Sequence, residues 1–251
     1  VGTSGSLITF TSNFVPPQAG DWDYIVFTDT SVDAVYDING NYESGSIIKY
    51  AVIEYAGGAS VTDNGALSFH DAAPFITNTT IRNSATAGIR GFNNPGTLKM
   101  THNTVTDNSG VGISVTNSYS GYTEVSYSTI NNNINSTGNP SDGGGIFIDG
   151  SVTVITNNTI RNNTALSNGA GLCAVWGSTA TINNNLVADN SIYNCPLCWD
   201  RFSVYVDGFN PSTISGNVII NNSTGGISSA HGGHGDILNN IISFNNGIGL
   251  Q

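Results

Sequence analysis

The chain contains little charge and very little positive charge. Only 9% of its residues are charged, and six lysines and arginines stand against 17 acidic residues, which gives a formal net charge of −11. A surface that follows a phosphate backbone needs clustered Lys and Arg. The six basic residues are instead scattered along the chain, so we expect no nucleic acid partner.

Long apolar runs are also missing. No segment approaches the roughly 18 consecutive apolar residues of a membrane-spanning helix, and we therefore expect no membrane span. The chain opens VGTSGSLITF, without an initiator Met or a signal peptide. This opening favours either a processed form or a fragment of a longer protein.

Cysteine is scarce, and its three copies neither demand nor exclude an oxidising compartment. Cys195 and Cys198 are separated by two residues in the sequence CPLC. The βαβ context of a cytosolic redox motif is absent around them. We expect a local disulfide between them that clamps a loop.

In place of charge, the chain is rich in residues that form turns and strands. It contains 31 Gly, 34 Asn and 54 Ser plus Thr residues. Glycine and asparagine favour turns, and β-branched residues favour strands over helices. The composition therefore predicts an all-β fold with many turns.

An internal repeat organises this composition. Eight segments place an aliphatic residue or Met first and Ile or Val five residues later, at spacings of 28, 24, 25, 30, 27, 32 and 23 residues. The segments are IKYAVI (48–53), ITNTTI (76–81), MTHNTV (100–105), VSYSTI (125–130), ITNNTI (155–160), INNNLV (182–187), ISGNVI (214–219) and ILNNII (237–242). Constant strands at variable spacing indicate loops inserted at fixed corners.

Asparagine recurs eight positions after the first residue of most segments. The members of this series are Asn108, Asn133, Asn163, Asn190, Asn222 and Asn245. An Asn side chain at a turn can hydrogen-bond the matching Asn about 4.8 Å away on the next coil. We therefore predict an asparagine ladder. Because one strand-turn-strand coil cannot bury its apolar side alone, the coils must stack into a parallel β-solenoid.

These units resemble the right-handed parallel β-helix repeats of the pectate-lyase-like superfamily, and residues 21–58 look like the opening coil of bacterial and archaeal extracellular β-helix proteins. The resemblance covers nearly the whole chain. It implies one domain over residues 1–251, a right-handed parallel β-helix of about eight to nine coils, and an extracellular or cell-surface location. It leaves function open, because this superfamily hosts lyases, hydrolases, epimerases, adhesins and structural proteins.

Our leading interpretation is a non-catalytic structural solenoid. The sequence predicts strands as far as both ends of the chain and no amphipathic capping helix at either end. A β-helix that ends in this way exposes unpaired strand edges. Either the chain belongs to a longer solenoid, or identical subunits stack head to tail into filaments. The partners expected are therefore another copy of the chain and a polysaccharide or surface glycan.

The first alternative is a polysaccharide lyase or a glycoside hydrolase. Asp149 and Asp207 each lie three residues after the matching aliphatic residue of their strands, Ile146 and Val204, two coils apart. That separation is roughly 10 Å by strand spacing, at the outer edge of the carboxylate separations of inverting glycosidases. The competing interpretation is that both residues end strands as turn-forming Asp-Gly.

The second alternative is a glycan-binding adhesin module. Aromatic residues gather around the sixth and seventh coils, and those selected as candidate sugar-stacking rings are Phe147, Trp176, Trp199 and Tyr205. Rings on a rigid scaffold can stack on sugar faces if they are exposed. Aromatic residues that only cover the edge of a coil would give the same sequence, so exposure decides.

No cofactor is predicted apart from a calcium ion near the start of the chain. In the stretch DINGNYE, the residues Asp37, Asn39, Asn41 and Glu43 alternate as oxygen ligands do in calcium loops. The spacing departs from the EF-hand pattern, and the competing interpretation is a polar glycine turn.

Overall fold

The computed structural model describes residues 1–58, 65–116, 121–136, 142–176, 179–193, 201–208, 211–230 and 235–251. All regular elements within these ranges are β-strands. Most of them form three long parallel sheets, which we call sheets I, II and III in the order in which one turn of the chain visits them. The predicted all-β parallel β-solenoid is confirmed.

Sheet I contains eight strands: Ile47–Lys49, Phe75–Thr77, Thr97–Thr101, Tyr122–Ser126, Val152–Thr156, Thr179–Asn183, Thr213–Ser215 and Asp236–Leu238. Sheet II contains nine strands: Ile8–Phe10, Ala51–Glu54, Thr80–Arg82, Thr104–Thr106, Thr129–Asn131, Thr159–Arg161, Leu186–Ala188, Val218–Ile220 and Ile241–Ser243. Sheet III contains eight strands: Ile25–Phe27, Gly65–His70, Ala87–Phe92, Ile113–Thr116, Ile146–Asp149, Leu172–Val175, Phe202–Asp207 and Gly225–Ala230.

Two small sheets accompany the solenoid. Val35–Tyr36 and Tyr42–Ser44 pair antiparallel as a hairpin, and Thr164–Ala165 pairs with Ser191–Ile192 in parallel.

The complete turns are somewhat fewer than the eight to nine coils predicted. The first turn supplies strands to sheets II and III, and the last turn supplies strands to sheets I and II.

The two aliphatic positions of the repeat form the core. The first position points inward from sheet I and the second from sheet II, so that Ile155 stacks between Val125 and Ile182, and Ile160 between Ile130 and Val187. These side chains are fully buried. Each contributes about 1.5–3 kcal/mol by leaving water, which explains why the repeat keeps large aliphatic residues at both positions.

Buried asparagines line the corner that follows sheet II. Their Nδ2 atoms donate to the Oδ1 atom of the Asn on the next turn at 2.8–3.1 Å. The bonded series is Asn108, Asn133, Asn163, Asn190, Asn222 and Asn245. A hydrogen-bonded amide at each turn satisfies corner groups that water cannot reach.

A second ladder lies at the corner between sheets I and II and was missed in the sequence. It runs through Asn103, Ser128, Asn158, Asn185, Asn217 and Asn240. The serine takes an asparagine position, since the Ser128 hydroxyl accepts from the backbone of Asn103 at 3.0 Å. The signal was present as Asn three residues after the first repeat position, but it is interrupted by that serine.

The residue before each ladder asparagine adopts a left-handed conformation. Asn157 and Asn162 have φ values of 57° and 55°, a region that Asn tolerates better than most residues. The stretch ITNNTIRNN therefore combines two core isoleucines with two corner pairs, each consisting of an exposed asparagine and a buried one.

We predict that Asn163→Ala lowers the free energy of unfolding by about 3 kcal/mol or more. The Asn163 Nδ2 atom donates to Ile130 O at 2.9 Å and to Asn190 Oδ1 at 3.1 Å, and its Oδ1 atom accepts from Asn133. The substitution leaves these buried groups without partners. Chemical denaturation followed by circular dichroism measures the loss.

The matched control is Asn157→Gly, at an exposed left-handed position where another turn already carries Gly216. It should change stability by less than about 0.5 kcal/mol. Equal losses in the two variants would contradict the assignment of stability to the buried ladder.

Candidate functional site

A hairpin leaves the solenoid near its start and packs on the outer face of sheet I. Its tip turns at Gly40, whose φ is 82°, and the Asp37 carboxylate closes the loop by accepting from the backbone of Asn39 and Asn41 at 2.9 and 2.8 Å. The rings of Tyr36 and Tyr42 each lie 5.7 Å from the ring of Phe75 on sheet I. Aromatic packing therefore holds the hairpin against the sheet.

Lys99 ties the hairpin tip to the same face. Its Nζ atom donates to Gly40 O at 3.0 Å and lies 4.5 Å from the centre of the Tyr36 ring. The Glu124 carboxylate of the next strand is 3.7 Å from this ammonium. Both charged side chains are largely buried, so the pair is screened less than an exposed ion pair would be.

An open cleft of about 660 Å³ lies between the hairpin and sheet I, and we call it the hairpin cleft. Hairpin residues 39–42 form one wall. The opposite wall and the floor include Lys49, Phe75, Lys99, His102, Glu124 and Tyr127. The cleft thus combines aromatic rings, amides, hydroxyls, two ammonium groups and a carboxylate, a mixture typical of sites for small polar ligands.

Two rings form a platform at the rim of the hairpin cleft. His102 and Tyr127 occupy matching left-handed corner positions on successive turns, with φ values of 59° and 50°. Their rings stack with centres 5.1 Å apart and an interplanar angle of 12°. The Tyr127 side chain is 58% exposed, which leaves it accessible to a ligand.

Two phenols in and beside the hairpin have raised pKa values. Burial raises the pKa of Tyr36 well above its usual range, and the negative charge of Glu124 raises it further. The pKa of Tyr122 is raised by the same two causes in the same order. Both phenols therefore stay protonated and uncharged at physiological pH.

Asp149 and Asp207 lie in one row on sheet III, two turns apart, with Val175 between them. The Asp207 carboxylate accepts a hydrogen bond from the Tyr205 hydroxyl at 3.3 Å. Both residues are partly buried, beside a cluster of apolar side chains on the outer face of sheet III. Their role as an acidic pair stays a prediction.

The four candidate sugar-stacking residues Phe147, Trp176, Trp199 and Tyr205 form the predicted aromatic strip, and the prediction is corrected at two of them. Phe147 and Tyr205 are only 6% and 5% exposed. They pack with Cys173 and Val175. The backbone also passes close to Phe147, since a side chain at Gly143 would lie 2.7 Å from its Cβ atom. Strand alternation correctly pointed them away from the core, but it could not show that other segments cover this face.

The other two members of the strip differ. Trp176 directly follows a strand of sheet III, adopts a left-handed conformation and is 70% exposed. Trp199 lies outside the described residues, as do Cys195 and Cys198, so the disulfide stays a prediction. Cys173 is a buried free thiol, and burial, followed by the negative charge of Asp142, raises its pKa.

The proposed calcium loop is the tip of the hairpin. The Asn41 side chain donates its Nδ2 to the Asp37 carboxylate at 3.0 Å, and Asn39 contributes its backbone amide. Asp37 is partly exposed, and its pKa is lowered, mainly by the hydrogen bond from the Asn41 side chain. These contacts account for the turn without an ion, and the calcium site stays a prediction.

The described residues contain neither a metal-binding cluster nor a helix that could span a membrane. No group of three or more His, Cys, Asp and Glu side chains there could hold a metal ion. The same part of the chain contains no helix with the length and hydropathy to cross a membrane.

The hairpin cleft was not predicted from the sequence, although its residues left a signal. At the outward positions of sheet I and its corner, most turns carry Thr, Val, Ser or Asn, whereas Lys99, Glu124 and Tyr127 break this pattern on adjacent turns. Comparing outward positions between coils would have found them. The hairpin wall could not be found in this way because it lies outside the repeat.

Comparison with known proteins agrees with this architecture. The chain matches the family described as "Right handed beta helix region" over residues 23–187 and 125–251. The chain belongs to this family, as the resemblance of its repeats indicated. Neither the curated proteins nor the solved structures contain a match to it.

We predict that the free energy of unfolding falls as the pH rises above about 10, the usual pKa of tyrosine. The unfolded chain loses the Tyr36 proton near this pH, whereas the folded protein retains it to higher pH. The contribution to stability is thus complete below the unfolded pKa and is lost above it. Tyr36→Phe should reduce this alkaline loss, measured by denaturation at a series of pH values.

Tyr122→Phe provides the comparison, because burial and Glu124 raise the pKa of Tyr122 as well. The double variant should show a weaker alkaline loss than either single variant. An alkaline loss as steep in all three variants as in the parent protein would contradict the assignment to these two phenols.

Proposed function

We propose that this protein is an extracellular or cell-surface structural β-solenoid that binds a glycan in the hairpin cleft. The stacked sheets supply a rigid scaffold, and the resemblance to extracellular β-helix proteins supports the location. The observation that carries the glycan contact is the cleft itself, in which an exposed Tyr127 ring stands beside groups that can hydrogen-bond sugar hydroxyls.

The polar groups of the hairpin cleft suit a saccharide. Asn39 and Asn41 lie on the hairpin wall, Thr101 contributes a hydroxyl from sheet I, and Glu124 contributes a carboxylate. A sugar ring offers an apolar face to an aromatic ring and hydroxyls to such groups around its edge. The cleft is also open, which suits one part of a longer chain.

Catalysis is less well supported than binding at this cleft. Glycoside hydrolases act through two carboxyl groups on either side of the scissile bond. Glu124 is the single carboxylate among the described residues that line the hairpin cleft. The lyase or hydrolase alternative therefore depends on Asp149 and Asp207, which lie on a different sheet.

We predict that Tyr127→Asn weakens glycan binding by about tenfold, equivalent to about 1.4 kcal/mol. Asparagine suits the left-handed backbone, since Asn157 occupies the matching position on the next turn. The substitution therefore removes the ring with little effect on the fold. Binding is first located on an array of plant, bacterial and animal glycans, and the dissociation constant is then measured by isothermal titration calorimetry.

Trp176→Asn is the matched control, because Trp176 is also an exposed ring in a left-handed conformation but lies on sheet III. It should leave glycan binding unchanged. If this variant loses glycan binding and Tyr127→Asn retains it, the glycan contact lies at the aromatic strip that the sequence predicted and not in the hairpin cleft.

Head-to-tail association is a second candidate function, favoured by exposed apolar side chains at both edges of the solenoid. At the first turn, Leu7, Ile8 and Phe10 are exposed on or beside the edge strand of sheet II. At the last turn, Ile241 is 59% exposed on the opposite edge strand, and Phe244 follows it. Such edges favour pairing with further strands.

The geometry of sheet II favours a second copy of this chain as the partner. The two edge strands, Ile8–Phe10 and Ile241–Ser243, have three residues each and run in the same direction, because every pair in the sheet is parallel. A second copy placed head to tail would therefore continue the parallel pairing. Repetition of this contact produces a filament.

We predict that Ile241→Asp abolishes concentration-dependent assembly, because it places a charge within the contact between copies. Multi-angle light scattering across a concentration series and negative-stain imaging measure the effect. Thr129→Asp is the control, since Thr129 occupies the same outward row on a central strand of sheet II. Parent protein that stays monomeric at high concentration would contradict the proposal.

A further inference from the structure

We infer that the hairpin cleft selects neutral pyranose saccharides over saccharides that carry carboxylates. This inference rests on the proposed glycan-binding function and specifies the ligand. It follows from the way in which the charged groups of the cleft are already used by the protein.

The most central cation of the cleft is occupied within the fold. Lys99 donates to Gly40 O at 3.0 Å, faces the Tyr36 ring at 4.5 Å and lies 3.7 Å from the Glu124 carboxylate. A uronate that recruited this ammonium would have to displace contacts that hold the hairpin to sheet I. Lys99 is therefore a structural cation and a poor receptor for an anion.

Glu124 places negative charge on the floor of the cleft. Its Oε1 atom accepts from the Ser126 hydroxyl at 2.8 Å, while Oε2 faces Lys99. The side chain is only partly exposed, which strengthens its interaction with nearby charge relative to water. A sugar hydroxyl can donate to this carboxylate, whereas a sugar carboxylate would be repelled by it.

The surroundings add further negative charge. The hairpin carries Asp37 and Glu43 next to the cleft wall, and the net charge of the whole chain is −11. Lys49 opposes them from the first strand of sheet I, with its Nζ atom 5.2 Å from the Tyr50 ring. Strand pairing puts Lys49 three turns from Glu124, about 14 Å along the solenoid axis, so this lysine lies at the far end of the cleft from the Glu124 carboxylate.

The neutral parts of the cleft supply what an uncharged sugar needs. Tyr127 offers an exposed ring whose orientation is held by stacking on His102 at 5.1 Å. Asn39 and Asn41 on the hairpin wall can donate to and accept from hydroxyl groups. Binding of this kind needs no counter-charge and should depend little on salt.

The experiment compares matched hexasaccharides by titration calorimetry with the full chain. The neutral probes are cellohexaose, xylohexaose and mannohexaose, and the anionic probe is hexagalacturonate. We expect at least one neutral probe to bind at least tenfold more tightly than hexagalacturonate, with an affinity that changes less than twofold between 50 and 500 mM NaCl, where about a tenfold difference corresponds to 1.4 kcal/mol.

Two variants test the assignment to this cleft. Tyr127→Asn should lower the affinity for the neutral probe by about tenfold, the same effect that the proposed function predicts for its glycan. Glu124→Gln should reduce the ratio between the dissociation constant of the anionic probe and that of the neutral probe. Circular dichroism checks that Glu124→Gln still folds. Lys49→Gln is a second variant, and hexagalacturonate should bind to it no more weakly than to the parent protein, because Lys49 does not recruit the anion.

The outcomes separate the two claims. Hexagalacturonate binding more tightly than the neutral probes, with an affinity that falls in high salt and in Lys49→Gln, would overturn the charge inference. The proposed glycan binding would still stand. If no saccharide binds, the proposed function fails and this inference fails with it. Neutral binding that survives Tyr127→Asn also overturns the inference, because the site then lies elsewhere.

Discussion

The structure depends on the hydrogen bonding of buried asparagine amides from one turn to the next. Each turn of the solenoid must change direction twice between sheets I and III, and each corner carries backbone groups that are removed from water. An amide satisfies this requirement because it donates and accepts at once, so one residue type can repeat along the axis. Asn163 and Asn158 do this on the same turn, one at each corner.

Because the ladders and the aliphatic core fix the turns, the outer faces are free to differ. The outer face of sheet II is open and rich in threonine, whereas that of sheet III is covered and carries a second apolar cluster around Phe147 and Tyr205. The outer face of sheet I carries the hairpin, the Lys99–Glu124 pair and the exposed ring of Tyr127. A rigid scaffold with variable faces is well suited to display a binding site.

The fold could be predicted because its signal is repeated. The pair Ile155 and Ile160 recurs in eight segments, so an exception in one segment does not hide the pattern. The second ladder was missed where Ser128 interrupts it, which shows how far even a repeated signal can be weakened by one residue. The hairpin cleft was missed for a different reason, since the hairpin occurs once and its position follows from packing on Phe75.

The sequence alone determined the strands, their register and the residues of the core, because these follow from local periodicity and from stacking of like on like. Only the tertiary structure decided which outward residues meet solvent. Phe147 and Trp176 look equivalent as aromatic residues near the ends of coils, yet one is buried and the other exposed. Exposure depends on the segments that lie over an outer face, such as the turn at Gly143 beside Phe147, and these segments leave no periodic trace.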